Sequence, residues 1–169
     1  MDEFNVKFED CEYDAKTDTM TTTGKASYNG KEYDVSFTEI DGSAPVIKLV
    51  SDHVQMSYDD GETINGYGLG TEEGQALCHA VDTIYRTMFE KADDYQRNDP
   101  DAICARISYE NKDVEEADIE IMEISRNTGD IGQLAGVVRI NEDTLRFCAD
   151  RDGSIYCLMP TGTAMQDVR

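Results

Sequence analysis

"TTTGKASYNGKEYDVSFTEI", Thr21 to Ile40, is the stretch from which the rest of the fold can be read. Asn29-Gly30 suits the positive φ angles of a two-residue type I′ turn, so its flanks are expected to pair as an antiparallel hairpin. Setting Tyr28 against Lys31 places Ala26 opposite Tyr33, Gly24 opposite Val35 and Thr22 opposite Phe37. The apolar side chains then share one face, because side chains alternate across a strand. On the other face Lys25 meets Asp34, a favourable cross-strand pair of opposite charges.

Toward the N-terminus, Phe4, Val6 and Phe8 alternate with polar residues as a half-buried strand does, and "DAKTD", Asp14 to Asp18, supplies a turn into the hairpin. An antiparallel meander therefore opens the chain. Toward the C-terminus, "PVIKLVSDHVQMSY", Pro45 to Tyr58, adds one long strand or two short ones before "DDGETINGYGLG", Asp59 to Gly70, breaks the pattern. From Thr71 to about Arg97, residues Leu77, Val81, Ile84, Tyr85, Met88, Phe89 and Ala92 recur at helical spacing and predict one buried stripe. Asp99-Pro100 ends that helix or starts a new segment, since proline disfavours helical geometry in the residue before it.

Beyond it, "AICARISY" fits a strand or a helix, whereas "ADIEIMEIS", Ala117 to Ser125, alternates as a strand with acids outside. "GVVRI", "TLRFCA" and "SIYCL" read as further strands. If Asp152-Gly153 joins the last two, Phe147 and Ala149 share a face with Tyr156 and Leu158, and Cys148 falls opposite Cys157. The expected class is α+β: an antiparallel β-meander packed with one long amphipathic helix over about 71–97, followed by further antiparallel strands. One domain is expected over residues 1–159, with residues 98–101 as the place where it would divide into two lobes, and a loose tail over 160–169.

Composition supports an ordered chain. Its 169 residues are 39% hydrophobic and 30% charged, enough apolar material for a core. The acidic start lacks a secretory signal's basic residues and apolar run, and no stretch approaches a membrane span. Five cysteines without a CxxC argue against a disulfide framework or a zinc ribbon and favour a reducing cytoplasm. The outlier is charge: 36 acids against 15 bases, a formal −21, with six acids and five bases in residues 124–169. Self-repulsion on that scale costs stability, so a use for it is sought.

Several chemistries find no support. The glycines of "INGYGLGTEEGQALCHAV", Ile64 to Val81, precede a helix as phosphate-binding loops do, but Glu72 and Glu73 occupy the helix start and no lysine or arginine stands nearby. A flexible connector with Thr71 as helix cap is expected instead. Cys78 and His79 point about 100° apart on a helix and cannot act as nucleophile and base together. "DAKTDTMTTTGK", "YDDGET" and "DRDGS" lack the ligand spacing of calcium loops. No cofactor and no specific metal site is expected.

Strand periodicity gives the acids a geometry. Asp10, Glu12 and Asp14 would leave one face at steps of about 6.8 Å, provided the strand continues without distortion. Glu32 with Asp34, and Asp118 with Glu120, repeat that step, which is on the order of the spacing between backbone phosphates. Two candidate partner-binding sets follow: Asp10, Glu12, Asp14, Glu32 and Asp34, or Asp113, Glu115, Glu116, Asp118 and Glu120. In size and charge alone the chain resembles the small acidic inhibitors that phages and mobile elements direct against restriction or CRISPR effectors. The expected function is an acidic, non-enzymatic protein-binding module that mimics nucleic acid toward a basic nucleic-acid-binding protein, without binding nucleic acid or membrane itself. The alternatives are charge that serves only solvation or salt adaptation, with a structural or dimerising role, and a carboxylate-based hydrolase.

Overall fold

The computed structural model describes residues 3–40, 43–59, 64–126, 134–149 and 156–160. Two compact units divide the chain, Met1–Gln96 and Arg97–Arg169.

In the first unit, six strands run antiparallel in sequence order: β1 (Phe4–Asp14), β2 (Thr19–Tyr28), β3 (Lys31–Ile40), β4 (Val46–Val50), β5 (Gln55–Asp59) and β6 (Ile64–Tyr67). The β2–β3 register matches the sequence reading, with Tyr28 opposite Lys31 and Thr22 opposite Phe37. Asn29 and Gly30 both hold positive φ, 52° and 75°, as a type I′ turn demands. Pro45 to Tyr58 forms two short strands, reversing at 51–54, where the Ser51 amide donates to the Val54 carbonyl at 2.8 Å.

Ile64–Tyr67 departs from the expected connector. It is a strand paired to β5, with Tyr58 opposite Ile64 and Gln55 opposite Tyr67. Glycine obscured it: Gly66 carries no side chain to extend the alternation, and a Cβ there would meet the Gln55 carbonyl oxygen at 1.7 Å.

Helix α1 (Glu72–Asn98) begins where expected, with the Gly74 amide donating to Thr71 Oγ1 at 3.0 Å. Its buried side includes Leu77, Val81, Ile84, Tyr85, Met88 and Ala92, which join Val6, Phe8, Tyr33 and Phe37 in one apolar core. Phe89, expected in the stripe, is 46% exposed. It sits at the rim of the core, edge-on to Phe37 with ring centroids 5.8 Å apart. A buried polar chain crosses the helix end: Gln96 Nε2 donates to Thr22 Oγ1 at 2.8 Å, and the Thr22 hydroxyl donates to Cys11 Sγ at 3.6 Å. Buried polar groups need such partners to offset lost hydration.

In the second unit, after the last two residues of α1, comes helix α2 (Pro100–Glu110), which settles the ambiguity of "AICARISY". Asp99 caps it by accepting from the Asp101 amide at 2.9 Å, and Pro100 takes the first helical position, where a missing N–H costs nothing. A short 3-10 turn (Glu116–Asp118) then leads into β7 (Ile119–Arg126), β8 (Leu134–Ile140), β9 (Asp143–Ala149) and β10 (Tyr156–Pro160). These form an antiparallel sheet in the order β10-β9-β8-β7. Ile103, Cys104 and Ile107 of α2 share a core with Val138, Phe147 and Ala149. Cys148 stands opposite Cys157 and Phe147 opposite Leu158, the register expected from a turn at Asp152-Gly153. That turn lies outside the described residues, as do residues 161–169 of the expected tail, whereas Pro160, expected to open the tail, ends β10 opposite Leu145.

Candidate partner-binding surface

The first acidic set depends on a distortion. Phe4, Val6 and Phe8 and the acids Asp10, Glu12 and Asp14 all carry even numbers, so an undistorted strand would turn the acids toward the core. The register of β1 against β2 shifts between Phe8 and Asp10: Phe8 faces Gly24 and Asp10 faces Thr23, with Glu9 left over. This bulge turns the second half of the strand over. Val6, Phe8 and Cys11 are buried, while Asp10, Glu12 and Asp14 are exposed on one face. The sequence reading assumed an even strand for that row, and the structure reaches the row only through the bulge.

Asp10 accepts from the Cys11 amide at 2.9 Å and Asp14 from the Lys16 amide, also at 2.9 Å. Among the described residues no lysine or arginine pairs with Asp10, Glu12 or Asp14. Glu32 and Asp34 also face outward from β3, but Lys25 forms an ion pair with Asp34 and its ammonium pKa is raised by that hydrogen bond and charge. The strands next to the row carry hydroxyls, since Asp10, Glu12 and Asp14 stand opposite Thr23, Thr21 and Thr19. Unpaired carboxylates thus run along β1 and a partly neutralised pair sits on β3.

The second set runs along the connection from α2 and into the start of β7. Asp113, Glu115, Asp118 and Glu120 are exposed and Glu116 is half-buried. Asp118 and Glu120 do not form the expected strand step, because Asp118 belongs to the 3-10 turn and β7 starts at Ile119. The Asn141 amide donates to the Asp118 carbonyl at 3.3 Å, which ties that turn to the next hairpin. Glu120 is ion-paired with Arg139 on the neighbouring strand. Burial first, then the charges of Glu116 and Asp101, push the Cys104 thiol up to about 11.

Sequence reasoning passed over a third group. Glu73, in the first turn of α1, faces a cleft of about 520 Å³ in the first unit. Its Oε2 accepts from Tyr33 Oη at 2.7 Å and from Ser51 Oγ at 3.1 Å. Burial, and then the hydrogen bond to Glu73, raise the Tyr33 phenol well above its ordinary value, so it remains a donor. The only trace in the sequence was an acid near a helix start. Its partners are 40 and 22 residues away, beyond any local spacing rule.

Among the described residues no three His, Cys, Asp or Glu side chains are grouped to hold a metal ion, and no helix is long and apolar enough to cross a membrane. Comparison with family models, with curated proteins and with solved structures finds no match to the chain.

Proposed function

We propose that the protein is an acidic, non-enzymatic binding module that occupies the nucleic-acid groove of a basic effector, in the manner of anti-restriction or anti-CRISPR inhibitors. One observation carries the reading: the bulged second half of β1 holds Asp10, Glu12 and Asp14 exposed, on one face and without a basic partner among the described residues. Paired carboxylates such as Asp34 and Glu120 offer a partner less, because their own cation must first be displaced. Ordered, unpaired anions attract a basic surface at long range, release its counterions and lose their effect with salt. On this reading the protein works in the cytoplasm, requires no cofactor and contacts the effector's groove without binding nucleic acid. Asp113, Glu115, Glu116, Asp118 and Glu120 are the alternative contact set.

The test is capture of a basic nucleic-acid-binding protein from the native host at low and high salt, followed by kinetics with the purified pair. The variant Asp10→Asn/Glu12→Gln/Asp14→Asn should associate about tenfold or more slowly at low salt, with a smaller change in dissociation. The captured effector should also release its DNA or RNA when the module binds. If neutralising this set and the second set leaves association unchanged, the proposal is wrong.

The position of β1 at a sheet edge favours a second reading, in which the charges merely prevent strand-to-strand association. In that case the neutralised variant would self-associate in size-exclusion measurements and no partner's binding would be lost.

A further inference from the structure

The cleft around Glu73 combines a held carboxylate with an excess of negative charge. Glu73 is 17% exposed, and two hydroxyls fix its Oε2. Its Oε1 lies 3.9 Å from Lys31 Nζ, beyond hydrogen-bond length, and Lys31 is 57% exposed. The lining carries Glu32, Asp34, Asp52 and Glu73 against Lys25 and Lys31, and Lys25 is already paired with Asp34. Anionic ligands are therefore disfavoured.

We propose that this cleft binds a guanidinium group, with Glu73 as its carboxylate partner. Tyr33 and Ser51 orient the carboxylate before the ligand arrives, which reduces the ordering cost of binding. Oε1 is left with only the long approach of Lys31. An ammonium is a compact, strongly hydrated charge, whereas a guanidinium is flat, weakly hydrated and presents parallel N–H donors that match a carboxylate. It can enter a site with a half-covered wall, displace Lys31 and make the hydrogen bonds that Lys31 does not. Val50 lines the cleft beside these groups and offers an apolar surface to the methylene stem. The volume of about 520 Å³ admits an arginine side chain with adjoining backbone. The inference rests on the proposed function only in naming an arginine of a basic protein as the source; free arginine is the other source of the same chemistry.

The test titrates the full chain with N-acetyl-argininamide, with free arginine, and with N-acetyl-citrullinamide, which has the same shape without the charge. Binding is followed by amide chemical shifts. The blocked arginine should saturate and shift the amides of Gly30 to Tyr33 and Ser51 to His53, and the citrulline analogue should bind at least about tenfold more weakly. Glu73→Gln should reduce the arginine probe to the citrulline level. If that variant fails to fold, Glu32→Gln/Asp52→Asn, at exposed positions, should weaken the probe about threefold or more. Equal binding of the two blocked probes, shifts confined to Asp10 to Asp14, or probe binding unchanged in the variants would overturn the proposal. Tighter binding of free arginine than of the blocked form would overturn the assignment to a protein side chain. Probe binding together with failure of effector capture would leave this site standing and defeat the proposed function instead.

Discussion

Gly74 sets helix propensity against packing. In an open helix, alanine in place of glycine gains about 1 kcal/mol. Here a Cβ would lie 2.1 Å from the Gly68 carbonyl oxygen and 2.6 Å from Leu69 Cα, both backbone atoms that cannot swing aside. Gly74→Ala is expected to lower the stability of the first unit by about 1–3 kcal/mol in denaturant unfolding. A gain would mean that the Gly68–Leu69 backbone moves at little cost. Cys104 provides a pH-dependent case in the second unit. Its Sγ donates to the Ile119 carbonyl at 3.8 Å, and burial raises its pKa from 9.0 to about 11. The unfolded thiol ionises first as pH rises, so the stabilisation is complete below pH 9.0 and is lost on the way to about 11. Unfolding followed across that window should show a loss that Cys104→Ala flattens.

Elements were legible where local chemistry alone determined them. Asn29-Gly30 carried the β2–β3 register, and the spacing from Leu77 to Ala92 carried α1. Where a tertiary neighbour decided the outcome, local reading failed. Strand β6 exists because β5 offers it a ladder, and for α2 the periodicity of "AICARISY" left strand and helix open, although Asp99-Pro100 before it carries a helix-start signal and the core that receives Ile103 and Ile107 takes a helix. The candidate surface shows the same division. The acids of β1 were readable, but the bulge that exposes them was not, because it lies in the pairing of β1 with β2 and leaves no mark in the spacing of β1 alone. Glu9 is that residue, so deleting it should straighten the ladder and leave Phe8 and Cys11 inside and Asp10 and Glu12 outside. Circular dichroism and amide shifts of the deletion variant should remain native-like. A collapse of the first unit would show that the bulge itself is required.

At the scale of the whole molecule, charge is the property that the sequence stated most clearly and located least. A formal −21 is a sum, and among the described residues the coordinates distinguish carboxylates answered by a cation, such as Asp34 and Glu120, from carboxylates without a basic partner, such as the row along β1. On the proposed reading, carboxylates without a cation beside them act most on an incoming basic protein, so neutralising the β1 row is the first comparison to make. The cleft proposed to take a guanidinium lies in the same unit and is lined by Glu32 and Asp34. On the two proposals, one unit would supply both the long-range attraction and a short-range docking point. The junction of α1 with α2 has a different consequence. Asp99 and Pro100 belong to the segment they initiate, so a gene trimmed between the codons for Asn98 and Asp99 would still encode the start signal of its first helix. Exchange of coding segments at that boundary would transfer the signal intact.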